Sequence, residues 1–231
     1  MAEWWTYSLA DFLMFSPRAY YRLFELYNVA VWPAQVLTLA LGAAILALLT
    51  KSCAQQGRVV AGLLAAFWLW IAWAYFLERY DTINWAGSYV AAGFAVEALV
   101  LVSLVVSPSS WRAGQDAVGR AGLAILLFAL VAQPVLAPLL GRPWTQAEVF
   151  GVAPDPTAIG TLGTLLASGE RVPWGALAIP LLWCVMSGAT LWTMGAPDAW
   201  VPILAAVLAL VLAASKSLRR QPHDVRALGT P

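Results

Sequence analysis

Charge and histidine are what this sequence has least of. Only 11% of its 231 residues are charged, against about 25% in a soluble globular domain. Most of its surface is therefore not built to meet water. The formal net charge of +1 provides no basic field for nucleic acid. The single histidine, His223, lies in the polar tail. One histidine excludes a bis-histidine haem and gives no basis for a His-rich zinc or copper centre. The two cysteines are Cys53, in a short polar loop, and Cys184, deep in an apolar run. Half a bilayer would separate them, whereas a disulfide needs Cα atoms within about 7 Å. Both are expected as free thiols without metal or redox spacing.

Catalytic motifs are scarce too. The chain has no HExxH, Walker A, GxGxxG or GxSxG pattern. No apolar run holds a lysine for a Schiff base, and none holds a histidine that could activate Ser187. A lone buried acid lacks the second carboxylate of an aspartyl dyad. The expectation is a protein that is not an enzyme and carries no cofactor. The opening MAEWWTYSLADF lacks a basic n-region and a cleavage site, so no removable signal peptide is expected. The polar tail of about sixteen residues is too short to bury a core.

What the sequence does have is apolar length: 61% of its residues are hydrophobic. A hydrocarbon layer about 30 Å thick needs about 20 apolar residues in a helix. Six runs approach that length, at 30–50, 59–80, 86–106, 120–141, 174–194 and 197–214. Lipid cannot satisfy a free backbone amide, so these runs are helices. A shorter run at 156–169 either spans in company with other helices or dips in and returns. Asp155 reads as its N-cap, Pro156 as its first residue and Gly169 as its end. Most tryptophans, among them Trp32, Trp85, Trp144, Trp174, Trp192 and Trp200, fall near run ends, where indoles gather at the headgroups.

The fold expected is all-α: a polytopic bundle of six to seven transmembrane helices over 29–214. It is preceded by an amphipathic interfacial segment over 1–28 and followed by a polar tail over 215–231. Tyr20, Leu23, Phe24 and Tyr27 recur at helical spacing in the N-terminal segment. With seven spans, nine Lys or Arg fall at one set of ends and four at the other; with six the split is again nine to four. Both put the C-terminus in the cytoplasm, and they differ on the N-terminus. The short basic loop KSCAQQGR favours seven.

The stretch GSYVAAGFAVEALVLVSLVV places Glu97 near the middle of its helix. An acid at that depth marks a functional candidate. Tyr89, Gly93 and Glu97 share one helical stripe. Gln133, beside Pro134 and Pro138, and Ser187 fall near the same depth, within about 5 Å by helical rise, and Thr190 shares a face with Ser187. These three read first as helix–helix glue and second as pocket groups. A further polar set lies at one interface: Glu78, Arg79, Asp81 and Asn84 in LERYDTINW, with Arg142, Trp144, Glu148 and Asp155 in the loop before the short run. It reads first as a solvated collar with weak ion pairs and second as a ligand site.

The blocks WWTYSLADFLMFSPRAYYRLFELYNVAVWPAQ, LERYDTINW and RPWTQAEVFGVAPDPTAIGTLG resemble a family of bacterial integral membrane proteins catalogued as a domain of unknown function. Some members carry a loose permease label. The resemblance implies a bacterial inner-membrane location and no particular substrate or catalytic residue. Two functions are therefore expected. The first is binding or passage of a small solute around the Glu97 carboxylate. The second is an accessory or sensory subunit that meets a larger membrane complex through its aromatic N-terminal helix, or pairs with a second copy of the chain.

Overall fold

The computed structural model describes residues 15–51, 55–106, 114, 116–168 and 172–219. Cys53, His223, Gly169 and most of the N-terminal and C-terminal segments therefore lie outside the described residues. Every regular element among those described is helical.

Helix α1, Pro17–Ala30, starts where the Ser16 hydroxyl accepts the Ala19 amide at 3.2 Å, with Pro17 in the first turn. Its Tyr20, Leu23, Phe24 and Tyr27 are buried, while Arg18 and Arg22 face out. It meets α2, Ala34–Thr50, at 87°. That angle lays α1 across one end of the bundle, the posture its amphipathic pattern calls for. Helix α3, Gln56–Trp70, continues through a π-helical stretch, Ile71–Leu77, and α4 spans Gly87–Val106. Helix α5, Ala117–Leu127, runs through a second π-helical stretch, Phe128–Ala132, into α6, Gln133–Leu139. Pro134 explains this second stretch: it has no amide to return to Leu130, and the backbone widens just before it. The remaining helices are α7, Pro154–Ala167, α8, Trp174–Thr193, and α9, Trp200–Leu218. Helix α9 runs past the expected end at 214, so part of the tail is helical.

Five helical stretches among the described residues are long and apolar enough to cross a membrane, or six if the bent α1–α2 pair counts as one span. Their outward faces carry large apolar side chains such as Leu99, Val131, Leu182 and Leu204, as a lipid-facing surface requires. The protein is an integral membrane protein.

Helix α7 is too short for that test, yet contacts decide its course. At its start, the preceding loop is held by α1: Asn28 Nδ2 donates to the carbonyls of Thr145 and Ala147 at 2.9 and 2.8 Å. At its end, the Ala167 carbonyl accepts the Gly114 amide at 3.0 Å, just before α5. The Leu166 carbonyl accepts from Lys216 Nζ at 3.0 Å, near the end of α9. The chain thus travels from the α1 end of the bundle to the opposite, tail end. With α2, α3, α4, α5–α6, α8 and α9, it makes seven helical traverses of the bundle, and the two ends of the described chain lie at opposite ends of it.

All of α7 is buried, and its composition makes that possible. Thr157, Thr161 and Thr164 each donate to the carbonyl four residues back, at 2.7, 2.7 and 2.8 Å, so no hydroxyl needs water. Gly163 and Gly122 let α5 and α7 touch backbone to backbone, the small-residue packing expected without a hydrophobic force between helices. Trp68, fully buried, donates from Nε1 to Thr161 Oγ1 at 3.0 Å.

Candidate functional site

Part of the polar set near the α1 face converges at the head of α7. Ala147–Ala153, the irregular lead-in to that helix, is buried throughout. It is pinned by Asn28 and by Tyr27, whose hydroxyl donates to the Val152 carbonyl at 3.2 Å. This lead-in places Glu148 inside the bundle. Asp155 follows in the first turn of α7. It is not the N-cap expected from the sequence: Ala153 holds that position, with Pro154 in the first turn. The Asp155 side chain reaches α8 instead. Its Oδ1 accepts from Trp183 Nε1 at 2.8 Å and its Oδ2 from Ser187 Oγ at 2.6 Å. Trp183 and Ser187 are four residues apart and share a helix face.

Two loops complete the set. Arg142, after α6, pairs with Asp198, before α9. The Arg142 guanidinium also lies over the Tyr21 ring, 4.5 Å from its centroid, a cation–π contact. Both members are nearly enclosed, with side chains 15% and 10% exposed. Gln133, the first residue of α6, is buried beside them. Gln133, Arg142, Glu148, Asp155 and Asp198 line one cavity of about 20 Å³ together with apolar Leu136, Ala137, Leu191, Val201 and Pro202. That volume holds one water-sized occupant.

The cavity is rich in acceptors. Gln133 Oε1, Glu148 Oε2 and Asp198 Oδ1 are buried and have no hydrogen-bond partner among the described residues. Of the donors nearby, Arg142 Nη2 donates to Asp198 Oδ2, and Trp183 and Ser187 donate to Asp155. Burial pushes the Glu148 carboxyl well above its ordinary range. Asp155 and Asp198 add to that rise, and Arg142 opposes it. No group of three His, Cys, Asp or Glu among the described residues is placed to hold a metal ion.

The structure thus draws two sequence candidates from mid-helix, Gln133 and Ser187, together with three from the interfacial set, Arg142, Glu148 and Asp155. The others lie elsewhere. Glu97 is fully buried on α4, away from lipid, and neither of its oxygens has a partner among the described residues. It does not line the cavity. Along its stripe, Tyr89 points outward at 72% exposed and the space around a Cβ built on Gly93 is open to 4 Å. Thr190 donates back to the Met186 carbonyl at 2.9 Å, within its own helix. Glu78, Arg79, Asp81 and Trp144 are exposed and Asn84 is half-buried. Asp81 accepts the Ser88 amide and Asn84 donates to the Tyr80 hydroxyl, at 3.1 and 3.2 Å, so this half of the interfacial set is a local collar. Asp198, Trp183 and Tyr21 were not among the sequence candidates. The Trp183–Ser187 spacing was the one local signal that could have flagged a shared partner.

A helical membrane protein with an internal carboxylate cluster at the head of a buried central helix is the class that fold and site define. The chain belongs to a family of unknown function (DUF6064), whose model matches residues 17–224. No curated protein and no solved structure matches it.

Proposed function

We propose that this is a permease-like protein of the bacterial inner membrane that binds and passes a small solute at the Gln133–Arg142–Glu148–Asp155–Asp198 cluster. The observation that carries this reading is the convergence of unpaired, buried oxygens from three separate elements on one cavity. A packed scaffold gains nothing from such an arrangement, because each buried acceptor without a partner costs about 1–3 kcal/mol. Discontinuous, π-distorted helices around a polar site are a frequent design in transporters, and here the π-helical stretch Phe128–Ala132 ends directly at Gln133. No reaction chemistry is assigned to the cluster. By their places in the sequence, nine Lys and Arg belong to the tail face and Arg18, Arg22, Arg79 and Arg142 to the α1 face. Positive-inside then puts the tail in the cytoplasm and opens the site to the outer side.

The test is access to the cavity. In a background with Cys53 and Cys184 replaced by serine, Ala137→Cys and Val201→Cys are exposed to the small cationic thiol reagent 2-aminoethyl methanethiosulfonate in intact cells. Both positions are buried in this structure, at 2% and 5% exposed. A passage site that opens during its cycle makes both react in the native protein. Reaction only after denaturation would reduce the cluster to a structural feature.

A further inference from the structure

We propose that the occupant of this site is a water-sized monovalent cation that donates N–H hydrogen bonds: ammonium, or the primary ammonium head of a very small amine. The inference rests on the binding-site reading above and names its substrate class.

Three properties of the cavity converge on it. The first is donor–acceptor balance. The lining presents amide and carboxyl oxygens without partners, on Gln133, Glu148 and Asp198. Arg142 Nη2 donates to Asp198 Oδ2, and Trp183 and Ser187 donate to the two oxygens of Asp155. An occupant that brings donors complements the three remaining oxygens, and an ammonium ion is a donor at every corner. The second is charge. Arg142 offsets Asp198, and two further carboxyls, Glu148 and Asp155, face the same space. With one of these protonated, a single positive charge completes the balance. An uncompensated charge at this burial is strongly unfavourable. The third is size. A cavity of about 20 Å³ admits an ion no larger than water. The groups facing Glu148 are Asp155 from α7, Asp198 from the α8–α9 turn and Arg142 from the α6 exit, with the Tyr20 and Tyr21 phenols of α1 and the Tyr75 phenol of the first π-helical stretch at longer range. None except Arg142 brings a positive charge.

The arrangement also separates ammonium from a metal ion. A divalent cation takes several carboxylate ligands at coordination distance, and no such set is present among the described residues. Hydrogen bonds through N–H reach farther from the central atom and tolerate a mixed amide–carboxyl shell.

The experiment is thermal unfolding of the purified full-length protein in detergent at pH 8, followed by tryptophan fluorescence. Matched concentrations of ammonium, methylammonium, sodium, potassium and choline chloride are compared. Ammonium is expected to raise Tm in a saturable, dose-dependent way relative to choline, and the larger methylammonium to do so less, because the cavity is water-sized. Glu148→Gln is expected to weaken the apparent affinity about tenfold or more, because a carboxyl oxygen facing the occupant is exchanged for an amide that also presents N–H donors. Gln133→Met leaves every charge in place and serves as the second variant; it too should weaken the response, and it carries the test if Glu148→Gln does not fold. Equal stabilisation by sodium or potassium would overturn the ammonium assignment while leaving the solute-site reading intact. So would no saturable response to any of the salts, or an ammonium response unchanged in both variants. Failure of the cysteine-access test would instead remove the reading on which the assignment rests.

Discussion

Gly163→Val is expected to abolish recovery of folded, monodisperse protein, and Gly163→Ala to lower its stability by about 3 kcal/mol, the upper part of the range for overpacking a tight core. A Cβ at Gly163 would sit 2.6 Å from the Leu126 amide nitrogen and 2.7 Å from the Gly122 carbonyl oxygen; one at Gly122 would sit 2.5 Å from the Ala167 nitrogen. These neighbours are backbone atoms of a packed helix and cannot rotate away, so the two helices must separate. Separation is costly because α7 is buried along its whole length and positions Asp155 and, through its lead-in, Glu148. Gly62→Ala on α3 is the control: nothing lies within 4 Å of its Cβ, and its stability should change by no more than about 1 kcal/mol, helix propensity favouring alanine. Size-exclusion profiles and thermal unfolding of the variants check both. Wild-type behaviour of Gly163→Val would mean that α5 and α7 are not in backbone contact.

The second large effect is expected at Asp155. Asp155→Ala removes both acceptors that tie α7 to α8 and leaves Trp183 Nε1 and Ser187 Oγ without their partner. Hydrogen bonds to a charged group contribute roughly 1.5–3 kcal/mol each, so a loss of about 3 kcal/mol or more follows. The opposing effect is relief of repulsion from neighbouring Glu148 and Asp198. It is the smaller one, because Arg142 already offsets Asp198. Ser187→Ala gives up one of the two bonds and should lose about half as much. Asp155→Asn keeps one acceptor but removes the charge, so it should fold better than the alanine variant and still fail to bind solute. Chemical unfolding in detergent, read alongside solute binding, separates these outcomes. An alanine variant as stable as the parent would show that the α7–α8 tie contributes little.

Much of the architecture was legible from residue pattern alone, because a bilayer imposes one length and one backbone solution on each crossing. The crossings at 30–50, 86–106 and 174–194 match α2, α4 and α8 to within a few residues, and the aromatic spacing of Tyr20, Phe24 and Tyr27 anticipated α1. The short run was legible as a helix but not as a complete traverse of the bundle. Its depth depends on the irregular lead-in 147–153, whose burial is enforced by Asn28 and Tyr27 from a segment more than a hundred residues earlier. Asp155 illustrates the same gap. Aspartate beside proline at a helix start reads as a cap, yet the cap passes to Ala153 once Trp183 and Ser187 offer stronger partners. Asp198 was not among the sequence candidates, and only tertiary pairing brings Arg142 to it across 56 positions. For Glu97, depth along a helix could be counted, and burial against the bundle followed. Which side chains share that depth on neighbouring helices depends on rotation about each helix axis, and near-uniformly apolar helices encode that rotation weakly.

The most direct measurement is carboxyl footprinting of the native protein in sealed vesicles, with a water-soluble carbodiimide and an amine nucleophile, followed by peptide mass spectrometry. Exposed Glu78 and Asp81 react in any case and calibrate the method. The account predicts that Glu148 is modified from the α1 face and that Glu97 is not. Modification of Glu97, with Glu148, Asp155 and Asp198 all untouched, would contradict it.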